Sequence, residues 1–104
     1  MILEQLEPKI LESSVIVASS EQISSDLGSE AVILNIKSGV YHGLNEVGAS
    51  IWKLIQEPRT IEEIKQRLLE EYNVEPEQCQ SDLIALLEDL VAAGLIVINN
   101  ETTT

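Results

Sequence analysis

Hydrophobic and polar positions follow a strand-like pattern in the first half of the chain and a helix-like one in the second, which predicts strands followed by helices. Val15-Ile16-Val17-Ala18-Ser19 is a β-branched run and reads as a first strand, closed by the Ser- and Gly-containing stretch from 20 to 29. Ala31 to Ile36 forms a second, nearly all apolar strand, which suggests that both of its faces are covered. Lys37-Ser38-Gly39 then leads into a third strand, Val40-Tyr41-His42-Gly43-Leu44, where polar and small residues interleave. A short loop ending in Gly supplies the positive φ that closes such a hairpin at no steric cost.

From Asn45 the period changes to that of a helix. Asn45 suits an N-cap, and Val47, Ile51, Trp52 and Ile55 share one helical face, so a first helix ends near Gln56, ahead of Pro58. Thr60-Ile61-Glu62-Glu63 reads as a capping box opening a second helix with a stripe of Ile61, Ile64, Leu68, Leu69 and Tyr72. Pro76 fits the first turn of a third and longest helix, whose stripe of Cys79, Leu83, Leu86, Leu87, Leu90 and Val91 runs to a terminating Gly94. Leu95 to Ile98 is a closing strand or extended segment. The expected fold is α+β, winged helix-turn-helix-like, with three N-terminal antiparallel strands followed by three helices. Its layout is an extended or flexible lead-in over residues 1–14, one domain over 15–98 and a flexible tail over 99–104.

Composition narrows what such a domain does. At 104 residues the chain has material for one core, and with aromatics at 3% that core is built from Leu, Ile, Val and Ala around Trp52. Eighteen acidic against six basic residues give a formal charge of −12. A duplex reader neutralises phosphates with clustered cations, and the third helix, where a winged helix would read DNA, carries Glu77, Asp82, Glu88 and Asp89 and no cation. Nucleic acid and anionic membranes are therefore excluded as expected partners. The absence of a signal-peptide pattern or a long apolar run, together with the single Cys79, points to a cytoplasmic protein.

Catalytic chemistry finds no footing in these residues. One His and one Cys supply neither a nucleophile–base pair nor the four N or S ligands of a structural zinc, and no calcium loop or phosphate-cradling glycine run is present. Cys79 lies on an apolar stripe and is expected to be an inert thiol, and His42 to be a surface or edge-strand residue. No enzyme, metal or cofactor is expected. What remains is the third strand itself: Val40 to Leu44 contains no Pro and no charge, the usual devices that blunt a sheet edge, so it suits the addition of a foreign strand unless the chain covers it.

Ile36 through Trp52, which joins the hairpin Gly39, the aromatic Tyr41, Leu44-Asn45, Gly48 and Trp52, resembles the PqqD-like family of RiPP recognition elements. These are leader-binding modules for ribosomally made, modified peptides. The resemblance continues through Thr60-Ile61-Glu62-Glu63-Ile64, Tyr72-Asn73-Val74, Cys79, Asp82-Leu83 and Gly94-Leu95-Ile96, and is nearest to the stand-alone type of lasso-peptide clusters. It implies that a precursor leader peptide adds beside the third strand, along Val40, Tyr41, His42, Gly43 and Leu44, and packs toward the third helix. Apolar anchors would rest on some of Leu83, Leu86, Leu87 and Leu90, and Asp82 would meet a basic leader residue. It also implies a separate leader peptidase and a separate cyclase as working partners. Alternatives are a module serving another peptide-modifying enzyme, such as a radical SAM enzyme, a winged-helix regulator, or a structural subunit that dimerises through its open edge.

Overall fold

The computed structural model describes residues 14–99. The expected lead-in up to residue 13 and the tail from residue 100 lie outside them. Six strands and three helices follow in the order β1 (Val15–Ala18), β2 (Gln22–Asp26), β3 (Ala31–Asn35), β4 (Tyr41–Leu44), α1 (Glu46–Leu54), β5 (Arg59–Thr60), α2 (Ile61–Glu71), α3 (Pro76–Ala92) and β6 (Ile96–Asn99). The architecture is mixed α and β, with antiparallel strands and three helices, as expected.

Among the described residues four strands rather than three precede α1, and they do not share one sheet. β1 pairs with β6 and with the two-residue β5, whereas β2, β3 and β4 form a separate antiparallel sheet in that order. β2 falls within the stretch read as a punctuating loop, because Gln22-Ile23-Ser24-Ser25-Asp26 has one apolar side chain and owes its conformation to pairing with β3. The first strand therefore leaves β4 at the sheet edge, with β3 on one side and no described strand on the other.

The core is one cluster that joins both sheets to all three helices. Ile16, Ile33, Ile55, Ile64, Leu87 and Leu95 are fully buried within it. The predicted caps are present: the Asn45 side chain accepts from the Gly48 amide at 2.9 Å, and Thr60 and Glu63 complete a reciprocal capping box. α1 ends at Leu54, with Ile55 as its C-cap, a residue or two before the expected point.

One buried polar side chain sets how the hairpin sits against the helices. Asn35 is 8% exposed, accepts from the Lys37 and Ser38 amides through Oδ1, and donates from Nδ2 to the Ala93 carbonyl at 2.7 Å. It thereby shapes the β3–β4 turn and ties it to the end of α3. Gly94 completes the arrangement: its φ of +74° closes α3, and a Cβ there would stand 3.2 Å from Asn35 Nδ2. Asn35→Ala removes three part-buried hydrogen bonds, so it should cost about 2–3 kcal/mol in urea unfolding, at about 1 kcal/mol per bond.

Candidate functional site

Hydrogen bonding along the β3–β4 hairpin decides which backbone groups face outward. Gly39, at φ +73°, closes the turn and donates to the Asn35 carbonyl, while the Asn35 amide donates to the Val40 carbonyl at 3.0 Å. Bonded and non-bonded pairs alternate in an antiparallel ladder. With Asn35 and Val40 as a bonded pair, Ile33–His42 and Ala31–Leu44 are the next two, and Leu34–Tyr41 and Val32–Gly43 are the non-bonded pairs. The N–H and C=O of Tyr41 and Gly43 therefore point to the open edge. Those of His42 and Leu44 turn inward to β3, and the Val40 amide is held by Ser38 Oγ at 3.2 Å. β4 begins at Tyr41 rather than Val40, and of the five residues expected to run beside a peptide, Tyr41 and Gly43 are the ones whose N–H and C=O face the edge that no described strand covers.

Side chains divide by the same alternation. Tyr41 stands on the outer face of the sheet beside Leu34 and Ile23, and is 68% exposed. His42 is half-buried on the inner face opposite Ile33, and Leu44 is buried opposite Ala31. Tyr41 is therefore placed to contribute its backbone to the edge and its ring to the opposite surface.

Next to this edge, on the inner side, lies an open groove of about 500 Å³. Gly43 and Leu44 form its β4 wall, and Asn45, Val47, Gly48 and Ile51 bring in the first turns of α1. Leu68, Tyr72 and Val74 line it from the end of α2 and the loop after it, and Cys79, Asp82, Leu83 and Leu86 from α3. Ile51, Leu68 and Leu83 are nearly fully buried and make the floor; Val47 and Val74 are exposed at the rim. The Tyr72 hydroxyl meets Ser50 Oγ at 2.8 Å and so links the end of α2 to α1. Gly48 lets α1 approach β4, since a Cβ there would lie 3.2 Å from that of Leu44.

Of the residues expected to hold a peptide, Gly43, Leu44, Asp82, Leu83 and Leu86 line this groove. Leu87 and Leu90 do not: at 0% and 3% exposure they belong to the core, on the flank of α3 turned toward the rest of the domain. Val47, Ile51, Leu68, Tyr72 and Val74 are groove residues that the linear pattern assigned to core stripes or to no role. Only the packing of three helices around the end of β4 brings them together.

Cys79 is 6% exposed, and burial pushes its thiol pKa up, an effect that Lys65 opposes and Asp82 reinforces. The thiolate is thus scarce at neutral pH. Alkylation by iodoacetamide should be at least about tenfold slower in the folded protein than in urea, because the raised pKa lowers the thiolate fraction and burial limits access. Folding stability gains from the protonated thiol below the unfolded-state pKa and loses that gain as pH rises through the folded value. Among the described residues no group of three or more His, Cys, Asp or Glu is placed to hold a metal, and no helix is long and apolar enough to cross a membrane.

Residues 30–96, which run from the start of β3 through the groove to β6, match the family model for coenzyme PQQ synthesis protein D (PqqD). The chain belongs to the PqqD family. Two solved structures share the fold of this PqqD-family protein across most of its length. TbiB1 in complex with the TbiA(beta) leader peptide is 30% identical with a TM-score of 0.73, covering 84% of this chain and 99% of its own. Lasso peptide synthetase B1 complexed with the leader peptide is 26% identical with a TM-score of 0.70, covering 79% of this chain and 96% of its own. None of the curated proteins matches the sequence. Both neighbours of this PqqD-family chain are B1-type proteins holding leader peptides, in line with the resemblance drawn from Ile36 to Trp52.

Proposed function

We infer that the protein binds the leader of a ribosomally made precursor peptide by strand addition to β4, and that it does so without catalysing a reaction. A single observation carries this reading: the outward N–H and C=O groups of Tyr41 and Gly43 stand beside an apolar groove, so one extended segment can satisfy the backbone and bury side chains together. Side chains alternate along an added strand, so every second residue of the leader faces the groove floor. The leader-peptide complexes of the two solved neighbours support the choice of ligand, and favour lasso-peptide biosynthesis over another peptide-modifying pathway. On this reading the protein delivers its precursor to a separate leader peptidase and a separate cyclase in the cytoplasm, raising the local substrate concentration as tethering does. The order of the strand hairpin and three helices also suggests kinship with winged helix-turn-helix domains, with β4 and α3 turned to peptide rather than DNA.

Titrating the protein into a fluorescently labelled synthetic leader from an adjacent precursor gene tests the reading. Binding near 1 µM is expected, about −8 kcal/mol. Hydrogen exchange at Tyr41 and Gly43 should slow on binding, while that at His42 and Leu44, already bonded to β3, should change little. Absence of binding at 100 µM protein would overturn the proposal.

A further inference from the structure

β2 forms the other margin of the sheet that contains β4, and no described strand pairs with its outer side. The Ile36 amide donates to the Glu21 carbonyl at 3.2 Å and the Leu27 amide to the Glu30 carbonyl at 2.8 Å, so the bonded pairs with β3 run through Ile23 and Ser25. The N–H and C=O of Gln22, Ser24 and Asp26 therefore point away from β3, and they meet no partner among the described residues. Turns close both ends of this edge: Ser19 Oγ accepts from the Glu21 amide and Asp26 Oδ1 from the Gly28 amide, each at 3.1 Å. Asp26 is the one charged residue of β2, and Lys53 of α1 pairs with it at 3.4 Å. Side chains at this margin are left unmatched as well. Ile23, and Leu27 where the alternation continues past the strand, share the outer face and are 58% and 59% exposed. On the inner face a cleft of about 200 Å³ lies between β2 and α1, with Ser24, Asp26, Trp52 and Lys53 in its walls. Among the described residues, Gln22 Oε1 and Trp52 Nε1 are the buried side-chain polar atoms that no partner meets, and both residues stand at this margin.

We propose that two copies of the chain associate through this margin, β2 against β2, about a two-fold axis at Ser24. The outward residues lie symmetrically about Ser24. Antiparallel pairing therefore sets Ser24 opposite Ser24 of the second copy and Gln22 opposite its Asp26, and every outward N–H and C=O on both strands finds a partner. A register slipped by two residues leaves one of these pairs unmade. On the outer face the axis brings Ile23 diagonally against Ile23 and Leu27 of the second copy, which covers the apolar side chains that one copy alone exposes. On the inner face Gln22 and Ser24 of the second copy arrive beside the cleft and its unmet polar atoms, while the two Asp26 side chains stand at opposite ends of the paired strands. The product is one sheet running β4-β3-β2-β2-β3-β4, whose two outer edges are the β4 strands, so association leaves both candidate peptide sites open. Two five-residue strands make an interface at the small end of specific ones, and a formal charge of −12 on each copy opposes their approach, so the dimer is weak. Salt should therefore tighten it, the reverse of a contact made by opposite charges.

Sedimentation of the full chain tests the association. A monomer–dimer equilibrium with a midpoint near about 100 µM is expected in about 500 mM salt, and one about fivefold weaker in about 50 mM salt. Ile23→Lys reduces the net negative charge, which by itself favours association. A dimer weakened at least about fivefold in this variant, with melting temperature and leader affinity unchanged, therefore assigns the loss to the apolar contact at the axis. Cross-linking reads the register. Ser24→Cys sets the two Cα atoms about 5.5 Å apart across a bonded pair, whereas Asp26→Cys sets them about 14 Å apart along the strands. A bismaleimide too short for the longer span should join two copies through position 24 and not through position 26, with Cys79 buried and out of reach. A chain that stays monomeric at about 500 µM in about 500 mM salt, or equal cross-linking at the two positions, overturns the proposal. Saturating leader should leave the dimer intact; dissociation by the leader would put the interface at β4 and overturn the β2 pairing, with the peptide-binding reading still standing.

Discussion

Gly43→Pro is expected to weaken leader binding by about 30- to 100-fold, the loss of ~2–3 kcal/mol, while the domain stays folded. The size follows from geometry. The Gly43 amide points away from β3, so proline removes a donor that only the incoming strand would use, and its ring occupies the line along which that strand approaches. Proline is tolerated at sheet edges for the same reason. Gly43→Ala is the matched control: a Cβ there meets nothing within 4 Å, and binding should change less than about threefold. Isothermal titration gives the affinity, and a melting temperature within a few degrees of the parent shows that the fold persists. A Gly43→Pro protein that binds the leader like the parent would mean that β4 is not the docking strand.

Two neighbouring leucines of α3 should separate recognition from folding with the next largest effects. Leu87 is fully buried, so Leu87→Ala should cost about 3 kcal/mol and lower the melting temperature by roughly 12–24 °C, leaving affinity intact wherever the protein remains folded. Leu86 is half-buried at the groove, so Leu86→Asp should leave the melting temperature nearly unchanged and reduce leader affinity at least tenfold by placing a charge against the ligand's apolar side chains. Thermal denaturation and peptide titration on both variants check the pair. A Leu86→Asp protein that melts far below the parent would place Leu86 in the core and remove it from the groove.

That contrast also marks where linear reasoning stops. A stripe repeating every three to four residues identifies a buried helical flank, and it placed Cys79, Leu83, Leu87 and Leu90 correctly in the core. It cannot say which margin of the stripe faces a cleft, because the cleft is made by α1 and by the end of α2. Val47 is far from α3 in sequence, Tyr72 and Val74 precede its first residue and fall outside its stripe, and no periodic signal joins any of the three to Leu86. The hairpin was legible because its signals are local: Gly39 in the turn, strand residues on either side, and Asn45 capping the helix beyond. The caps at Asn45 and Thr60 were legible for the same reason.

The division into two sheets was not. Val15–Ala18 and Ala31–Asn35 are both apolar and rich in β-branched residues, and nothing in either states which strand it will pair with. β1 finds its partner more than 80 residues away, through Val15 opposite Asn99. β2 was missed because Ile23 is its one apolar residue and four of its five residues are exposed, so pairing with β3 rather than burial holds it. The open edge at β4 could be argued in advance from missing charge and proline, but only the register reveals that Tyr41 and Gly43 carry it.

The β1–β6 pairing has a practical consequence. With Val15 facing Asn99, the two ends of the described residues lie side by side, on the sheet that does not contain β4. A domain whose two ends meet in this way can be spliced as a cassette into a surface loop of a host protein, and its ligand-receiving strand belongs to the sheet that such a graft leaves untouched.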